Sequence, residues 1–335
     1  MTTQILYSKE FSKHNNSTHP ENAERLFSMI NEIKKAPIYN KLEFVEPELL
    51  PEKCLYDVHS CEMIQQIKDM SSQESSWIDL DTYICKEDYV TARLAAGGLV
   101  KICKNVMNGN VDNAFALIRP PGHHATRDRS MGFCIFNNAA IAANEISKEG
   151  KRVLVFDHDV HHGNGTQHIM YERKDVMYQS LHLYPHYPGT GNIDEIGFKD
   201  GEGYTINAPL SHGNGDIAVS QLLDEIFLPI AFQFKPDIVI FSSGFDSHHL
   251  DTLGGLKLTS NFFGKMIAKF QEIQPRIVCT LEGGYNIQWI GKCLLSQLGQ
   301  MVHSAIKFED SVKEDKNVEP IIEKIKMEIN KFWNI

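Results

Sequence analysis

Residues 152–166 constrain the fold of this chain more strongly than any other stretch. Residues 153–156 are a continuous apolar run of valine, leucine and phenylalanine, which predicts a short strand buried on both faces. Strands of this kind are typical of parallel sheets that helices cover. Acidic and histidine side chains crowd the next positions, namely Asp157, His158, Asp159, His161 and His162. Because ligands of open α/β sheets bind at the carboxyl ends of strands, this position predicts a functional site.

The spacing within this cluster indicates a metal site. Side chains two positions apart lie on the same face of an extended segment, so Asp157, Asp159 and His161 point one way and His158 points the other. Asp246, at the end of another predicted strand, completes a set of three ligands with Asp159 and His161, and Zn²⁺ bound by three residues keeps one position open for water or substrate. The alternative is a surface loop that is merely rich in histidine. Charged side chains directly after a buried strand are costly without a partner, which favours the metal site.

Further apolar runs predict the rest of a sheet. Strands are predicted at 113–118, 176–181, 237–242 and 276–281, each followed by His, Asp or Tyr, and another at 5–7. Helical periodicity appears at 56–70, 87–109 and 286–304, whereas the prolines of residues 37–51 predict a linker. This alternation predicts a doubly wound, mostly parallel sheet flanked by helices, with the active site at the carboxyl ends of its strands.

The composition predicts a globular protein of a reducing compartment. The chain has 335 residues and a formal net charge of −10, and its seven cysteines include no CxxC pair. We expect one catalytic domain over residues 1–305 and a charged helical extension over residues 306–335, with a polar link at 314–316. No apolar run reaches the length of a membrane span, and neither a signal peptide nor a basic cluster is visible. We therefore expect a cytoplasmic protein that binds neither nucleic acid nor membrane; no oligomer is indicated.

Side chains near the predicted metal suit acid–base chemistry. His123 and His124 follow a stiff Pro-Pro-Gly turn, and imidazoles serve as general base and acid near neutral pH. Asp157 can accept a proton from one of them and fix its tautomer. Tyr285 follows two glycines and is a candidate hydrogen-bond donor to an oxyanion. His14 and His19 lie outside any cluster, and we interpret them as surface or structural residues.

The motifs at these strand ends resemble those of the zinc-dependent histone deacetylase superfamily, which also contains acetylpolyamine amidohydrolases and acetoin-utilisation-type proteins. The motifs are, in chain order, RPPGHHA, GFCIFNNAAIA, DHDVHHGNGTQ, SLHLYPHYPGTG, SSGFDSH and LEGGYN. The resemblance covers about residues 5–305 and is closer to the class II branch than to class I. It implies the arginase/deacetylase α/β fold and the hydrolysis of an N-acetyl amide to an amine and acetate.

The resemblance also implies roles for individual residues. The catalytic set would be His123, His124, Asp157 and Tyr285, with His124 as general base and acid, and the Zn²⁺ ligands would be Asp159, His161 and Asp246. The acyl-lysine channel would comprise Gly132, Phe133, Tyr187, Leu253 and Asp81, and the supporting residues would be Asn164, Gly283 and Gly284. A structural K⁺ would be held by Asp157, Asp159, His161, Ser180 and Leu181.

The resemblance leaves alternatives for the substrate. Leu253 stands where polyamine-selective relatives carry a glutamate, which favours acetyl-lysine in a peptide or protein. An acetylpolyamine or another small N-acyl amide is the alternative, because Asp251 and the net negative charge suit a cation. A catalytically weak module that binds acyl-lysine is a further interpretation, against which Tyr285 and the paired histidines argue. An arginase-like ureohydrolase would need two Mn²⁺ ions and more bridging carboxylates than the one evident ligand set.

Overall fold

A sheet of eight parallel strands forms the centre of the computed structural model, which describes residues 2–313 and 317–335. The strands in chain order are β1 (Thr3–Leu6), β2 (Leu42–Val45), β3 (Ser76–Trp77), β4 (Tyr83–Ile84), β5 (Asn113–Ala116), β6 (Val153–Asp157), β7 (Val176–Leu183), β8 (Thr205–Leu210), β9 (Ile238–Ser243) and β10 (Ile277–Leu281). β3 and β4 form a separate antiparallel pair. The other eight lie in the order β2-β1-β5-β10-β9-β6-β7-β8, so β10 separates β5 from β9.

Helices flank this sheet, which confirms the predicted α/β class. They are α1 (Glu24–Lys35), α2 (Lys53–Tyr56), α3 (Cys61–Met70), α4 (Asp88–Met107), α5 (Asn138–Ser147), α6 (Asn164–Met170), α7 (Asp216–Leu222), α8 (Leu228–Phe234), α9 (Ser260–Gln271), α10 (Ile290–Met301) and α11 (Glu319–Ile329). A π-helical turn, Leu223–Phe227, joins α7 to α8. Helix α10 packs on α1 and α9, and α4 packs on α5.

The core explains why the central strands are apolar throughout. Every residue of β6 is buried, and so is every residue of β9 and β10. The Phe156 ring lies 4.5–5.4 Å from the rings of Phe227, Phe241 and Phe270. Burying one such side chain contributes about 1.5–3 kcal/mol. The strand before the predicted metal site is therefore firmly anchored.

Two predicted elements need correction, and one strand was missed. The helix predicted at 56–70 begins only at Cys61, because Ser60 caps α3 by accepting the Met63 N–H over 3.3 Å, and Tyr56 instead ends α2. The predicted linker at 37–51 contains β2, an edge strand whose side chains are half-buried or exposed and therefore form no apolar run. Strand β8 escaped prediction because Asn207 and Pro209 interrupt its apolar pattern.

The described C-terminal residues return to the sheet. Helix α11 packs on β8, and the Trp333 indole N–H donates to the Gly203 carbonyl over 2.6 Å. The predicted link at 314–316 lies outside the described residues, and the division of the chain at residue 305 stays a prediction. The helical stretch Asp216–Phe234 is long and apolar enough to cross a membrane, which corrects the expectation that no stretch has that length. Half of its most apolar part is buried inside the protein.

Candidate active site

Four neighbouring strands bring the predicted site residues together at their carboxyl ends. β5, β10, β9 and β6 lie side by side and run parallel. His123 and His124 follow β5, Tyr285 follows β10, Asp246 follows β9, and Asp157 ends β6. Because β10 lies between β5 and β9, Tyr285 emerges between the histidines and the predicted metal ligands.

Asp159, His161 and Asp246 converge as a metal site requires. One ligand atom of each residue lies within 4.8 Å of the other two. His161 Nδ1 is 3.0 Å from Asp159 Oδ1 and 3.3 Å from Asp246 Oδ2. The backbone N–H of Gly283 donates to Asp159 Oδ2 over 2.8 Å, and that of Val160 donates to Asp246 Oδ1 over 2.9 Å. Backbone amides thus hold both carboxylates in place.

The triad fits a divalent cation in two respects. Asp246 Oδ2 is buried, and among the described residues its polar contact is the long one with His161 Nδ1 at 3.3 Å, so this oxygen can still bind a cation. Burial and the charge of Asp159 raise the pKa of Asp246 to about 7. Burial would lower the pKa of His161, but the hydrogen bonds and charges of the two carboxylates raise it to about 10. Both raised pKa values mean that the triad binds protons readily and so attracts positive charge. A bound Zn²⁺ would take the place of such a proton.

Asp157 and Tyr178 fix His123. The His123 Nδ1–H donates to Asp157 Oδ2 over 3.1 Å, and the Tyr178 hydroxyl donates to the same oxygen over 3.0 Å. Burial would lower the pKa of His123, but the charges of Asp159 and Asp157 outweigh burial and raise this pKa to about 10. His123 is therefore a cation that is paired with a buried carboxylate.

His124 has the opposite electrostatic character. Its ring centroid lies 4.0 Å from that of His123. Burial and the charges of His123 and His161 hold the pKa of His124 well below its ordinary value. The Nδ1–H donates to Asn164 Oδ1 over 2.8 Å, so Nε2 carries a lone pair. A neutral imidazole of this kind can accept a proton from water.

Tyr285 is held through its backbone and its ring. Asp251 Oδ2 accepts hydrogen bonds from the N–H groups of Tyr285 and Asn286, over 2.7 and 2.9 Å. The Arg25 guanidinium lies 5.1 Å from the ring centroid of Tyr285. Gly284 has a φ of +116°, which side chains bearing a Cβ rarely adopt. Burial raises the pKa of the Tyr285 hydroxyl well above its ordinary value, so this hydroxyl stays protonated and able to donate.

A cavity of about 210 Å³ reaches these groups. Its lining contains all five predicted channel residues, Gly132, Phe133, Tyr187, Leu253 and Asp81, together with His123, His124, His161, Gly283 and Tyr285. The Phe133 ring lies edge-on to Tyr285 at 5.9 Å, and the Tyr187 ring lies edge-on to His124 at 5.1 Å. A Cβ on Gly132 would come within 2.5 Å of the His124 ring. The cavity therefore combines aromatic walls with a cluster of histidine and carboxylate groups.

The predicted potassium ligands lie on the neighbouring strands β6 and β7 and just beyond the end of β6. Ser180 is opposite Asp157 in the β6–β7 pair, and Leu181 follows it on β7; all three are buried. No further geometry bears on potassium, so that site stays a prediction. A Cβ on Gly283 would lie 2.0 Å from Asp246 Oδ2, which explains why glycine stands at this position.

Sequence reasoning missed two residues that its own motifs contained. His186 lines the cavity, and its ring stacks on His161 at 5.0 Å with an interplanar angle of 18°. Glu282 Oε2 accepts the backbone N–H groups of Gly122 and His123 over 2.7 and 3.1 Å. The adjacency of Glu282 to the glycines before Tyr285 was a usable signal.

A buried ion network supports the Tyr285 loop, and of its residues only Arg119, the first of the RPPGHHA motif, had a signal in the sequence. Glu21 pairs with Arg25 Nη1 over 2.9 Å and with Arg119 Nη2 over 2.6 Å, and all three side chains are fully buried. The Arg25 Nε–H donates to the Gly284 carbonyl over 2.7 Å, and the Arg25 Nη2–H donates to the Glu282 carbonyl. A helix on one side of the sheet thus contacts the loop that carries the tyrosine.

Comparisons with known proteins agree with this geometry. The family model described as the histone deacetylase domain matches residues 19–301. The chain is 36% identical over 329 residues to a protein named "Probable deacetylase" from Archaeoglobus fulgidus, covering 96% of this chain and 91% of that protein. It is 39% identical over 279 residues to histone deacetylase 15 of Arabidopsis thaliana, covering 81% of this chain but only 50% of that relative.

A solved structure has the same fold over nearly the whole chain. The crystal structure of the HDA15 HD domain superposes with a TM-score of 0.94 at 33% sequence identity. The superposition covers 99% of this chain and 97% of the other. The likeness therefore includes the C-terminal residues beyond the family match.

Proposed function

The chain belongs to the histone deacetylase family and is a hydrolase that acts on amides, and we propose that it hydrolyses Nε-acetyl-lysine of a peptide or protein to lysine and acetate with one Zn²⁺. The observation that carries the proposal is the cavity in which the rings of Phe133 and Tyr187 line the same space as Tyr285 and His161 of the metal triad. A lysine side chain is a linear methylene chain, which suits an apolar opening between aromatic rings.

Asp159, His161 and Asp246 would hold the metal. Held by these three residues, a Zn²⁺ ion would supply Lewis acidity to the acetyl carbonyl and to the attacking water. His124, neutral and with a free Nε2, takes a proton from the water as oxygen adds to the acetyl carbon. His124 then returns that proton to the lysine nitrogen as the carbon–nitrogen bond breaks.

Three further residues support this chemistry. The Tyr285 hydroxyl donates a hydrogen bond to the carbonyl oxygen as negative charge develops there, because its high pKa keeps it protonated. His123 remains cationic beside Asp157 and stabilises the same developing charge. Asn164 keeps the Nδ1 proton of His124 away from the reacting face.

The contacts of Asp251 favour lysine over a polyamine. Its Oδ1 accepts the Leu253 N–H over 3.0 Å, and its Oδ2 accepts the N–H groups of Tyr285 and Asn286. This carboxylate therefore already accepts three hydrogen bonds from backbone N–H groups, and it is not among the residues that line the cavity, so it is poorly placed to bind a substrate amine. Leu253 offers only an apolar surface to the cavity.

An acetylpolyamine is the second candidate, supported by Asp81 at the cavity. Asp81 is half-buried, and burial together with its hydrogen bond and charge interaction with Asp79 raises its pKa. A substrate ammonium group near this pair would relieve the repulsion between the carboxylates. The two candidates thus differ in whether Asp81 binds a substrate ammonium group.

A comparison of substrates tests the proposal. The zinc-loaded protein is assayed with an acetyl-lysine peptide and with acetylspermidine at equal concentration, and Tyr285→Phe is the control for background hydrolysis. We expect a higher kcat/KM for the peptide. A clear preference for acetylspermidine would contradict the lysine assignment, and no activity on any acetyl amide would contradict the mechanism.

Location and ions complete the proposal. All seven cysteines are free thiols, which supports a cytoplasmic location.

A structural K⁺ beside β6 and β7 is supported by the resemblance of residues 157–161 and 180–181 to the family pattern. Activity measured in potassium against sodium buffers tests it, and equal activity and equal thermal stability in both would contradict it.

A further inference from the structure

The C-terminal segment returns to the active site through Asp310. This residue lies beyond the family match at 19–301, yet its side chain is only 2% exposed. Asp310 Oδ2 accepts hydrogen bonds from His248 Nε2–H over 3.0 Å and from the Ser260 backbone N–H over 2.6 Å. Its Oδ1 accepts one from His249 Nε2–H over 2.6 Å. One carboxylate therefore satisfies three donors from the loop after β9 and from the start of α9.

The two histidines belong to the loop after β9, which carries the predicted metal ligand Asp246 and is hydrogen-bonded to the Tyr285 backbone. Asp246 begins this loop, and Asp251, which accepts the Tyr285 N–H, ends it. The Asp251 N–H donates to the His248 carbonyl over 2.9 Å. The His248 ring stacks on Trp289, with centroids 4.9 Å apart and an interplanar angle of 25°. His248 thus contacts both Asp251, which binds the Tyr285 N–H, and Trp289, which follows Tyr285 in the chain.

The hydrogen bonds identify the cluster as a carboxylate clamp instead of a second metal site. His248, His249 and Asp310 have ligand atoms within 4.8 Å of one another, as a metal would require. However, the Leu250 N–H donates to His248 Nδ1 over 3.2 Å, so Nδ1 carries no proton. The ring proton is therefore on Nε2, where it points at Asp310 and occupies the position that a cation would need.

We propose that Asp310 is a positioning residue, which holds the loop from Asp246 to Asp251 and thereby fixes Tyr285 against the reacting carbonyl. The inference rests on the proposed function, in which Tyr285 polarises that carbonyl. A second attachment keeps the segment in place when Asp310 is changed, because Asn261 and Phe308 exchange two hydrogen bonds of 2.9 Å. The role of Asp310 can therefore be separated from the docking of the segment as a whole.

A double-mutant cycle on the full-length, zinc-loaded chain tests this role. We expect Asp310→Ala to lower kcat about tenfold, because small displacements of a reacting group are costly, with KM nearly unchanged. The matched control is Glu309→Gln, an exposed neighbour, which should change neither. In a Tyr285→Phe background, Asp310→Ala should have no further effect, because two changes that act through one group are not additive.

Amide hydrogen exchange gives a readout that is independent of activity. The backbone N–H groups of Tyr285 and Asn286 should exchange faster in Asp310→Ala than in the wild type or in Glu309→Gln. If the alanine variant does not fold, Asp310→Asn, which keeps the size and one acceptor, takes its place. Wild-type kcat and unchanged exchange at both amides would overturn the inference. Full activity of Tyr285→Phe would instead refute the proposed function, and the exchange result would still decide whether Asp310 holds the loop.

Discussion

Replacing Glu21 by glutamine should lower the free energy of unfolding by about 3–5 kcal/mol, because it leaves buried charges unpaired. The Glu21 side chain is fully buried between the guanidinium groups of Arg25 and Arg119, at nitrogen–oxygen distances of 2.9 and 2.6 Å. Glutamine keeps the size of the side chain but removes the counter-charge of both cations. With an unfolding entropy of about 2.1 cal/mol/K per residue, Tm should fall by about 4–7 °C for this chain length.

Thermal denaturation at several pH values tests this prediction. The control is Glu10→Gln, whose exposed pair with Lys13 at 2.7 Å should contribute little to Tm. Burial would raise the pKa of Glu21, but the charge of Arg119 and the hydrogen bonds outweigh burial and hold this pKa well below its usual value. The stabilisation is therefore present above the unfolded pKa of 4.5 and is lost as the pH falls toward the native pKa. A Tm for Glu21→Gln equal to that of the control at pH 7 would refute the reasoning.

Four further predictions address the site and its surroundings. Tyr285→Phe should lower kcat by about 100-fold while retaining zinc and Tm; unchanged turnover would exclude the hydroxyl from the mechanism. Asp246→Ala should lose zinc by metal analysis, and one retained zinc per chain would contradict its role as a ligand. Gly283→Ala should lower both zinc content and Tm, because the new Cβ would lie 2.0 Å from Asp246 Oδ2; wild-type values of both would show that the site adjusts. Burial would lower the pKa of His14, but the charge of Asp88 and the hydrogen bond to it outweigh burial and raise this pKa to about 10. The pairing of protonated His14 with Asp88 therefore stabilises the fold fully below about pH 6.5, and this contribution is lost as the pH rises toward 10. His14→Gln should therefore lower Tm more at pH 6 than at pH 10. An equal loss of Tm at both pH values would contradict a stabilising charge on His14.

Central strands were predictable from the sequence, whereas edge strands were not. The strands β6, β9 and β10 are buried on both faces, so each contains a run of three or four consecutive apolar residues. Edge strand β2 has Glu43 and Phe44 exposed, and β8 contains a proline that only an edge strand accommodates readily. The positions of these strands depend on their neighbours in the sheet, which local pattern does not report.

Site residues beside strand ends were predictable for the same reason, whereas their supports were not. The sequence indicates Asp157, Asp159 and His161 because these polar residues directly follow an apolar run. His14 was interpreted as a surface or structural residue, and it is a structural one: its side chain is buried against Asp88 at 2.6 Å, 74 positions away, a partner that the sequence did not indicate. Arg25 meets Gly284 across 259 positions, so its role depends on a tertiary contact that no spacing rule predicts.

The Tyr285 loop is held from two opposite directions, and this arrangement relates stability to catalysis. Arg25 donates to the carbonyls of Glu282 and Gly284, whereas Asp251 accepts the N–H group of Tyr285. A cation therefore fixes one side of the peptide dipoles and an anion fixes the other, which preorganises the tyrosine as a donor. Because Glu21 orients Arg25, the loss of Glu21 should disturb the position of Tyr285 as well as lower the stability of the core. Variants of this network should then lower kcat at temperatures where the protein is still fully folded, whereas destabilised variants elsewhere in the core should keep kcat until they unfold.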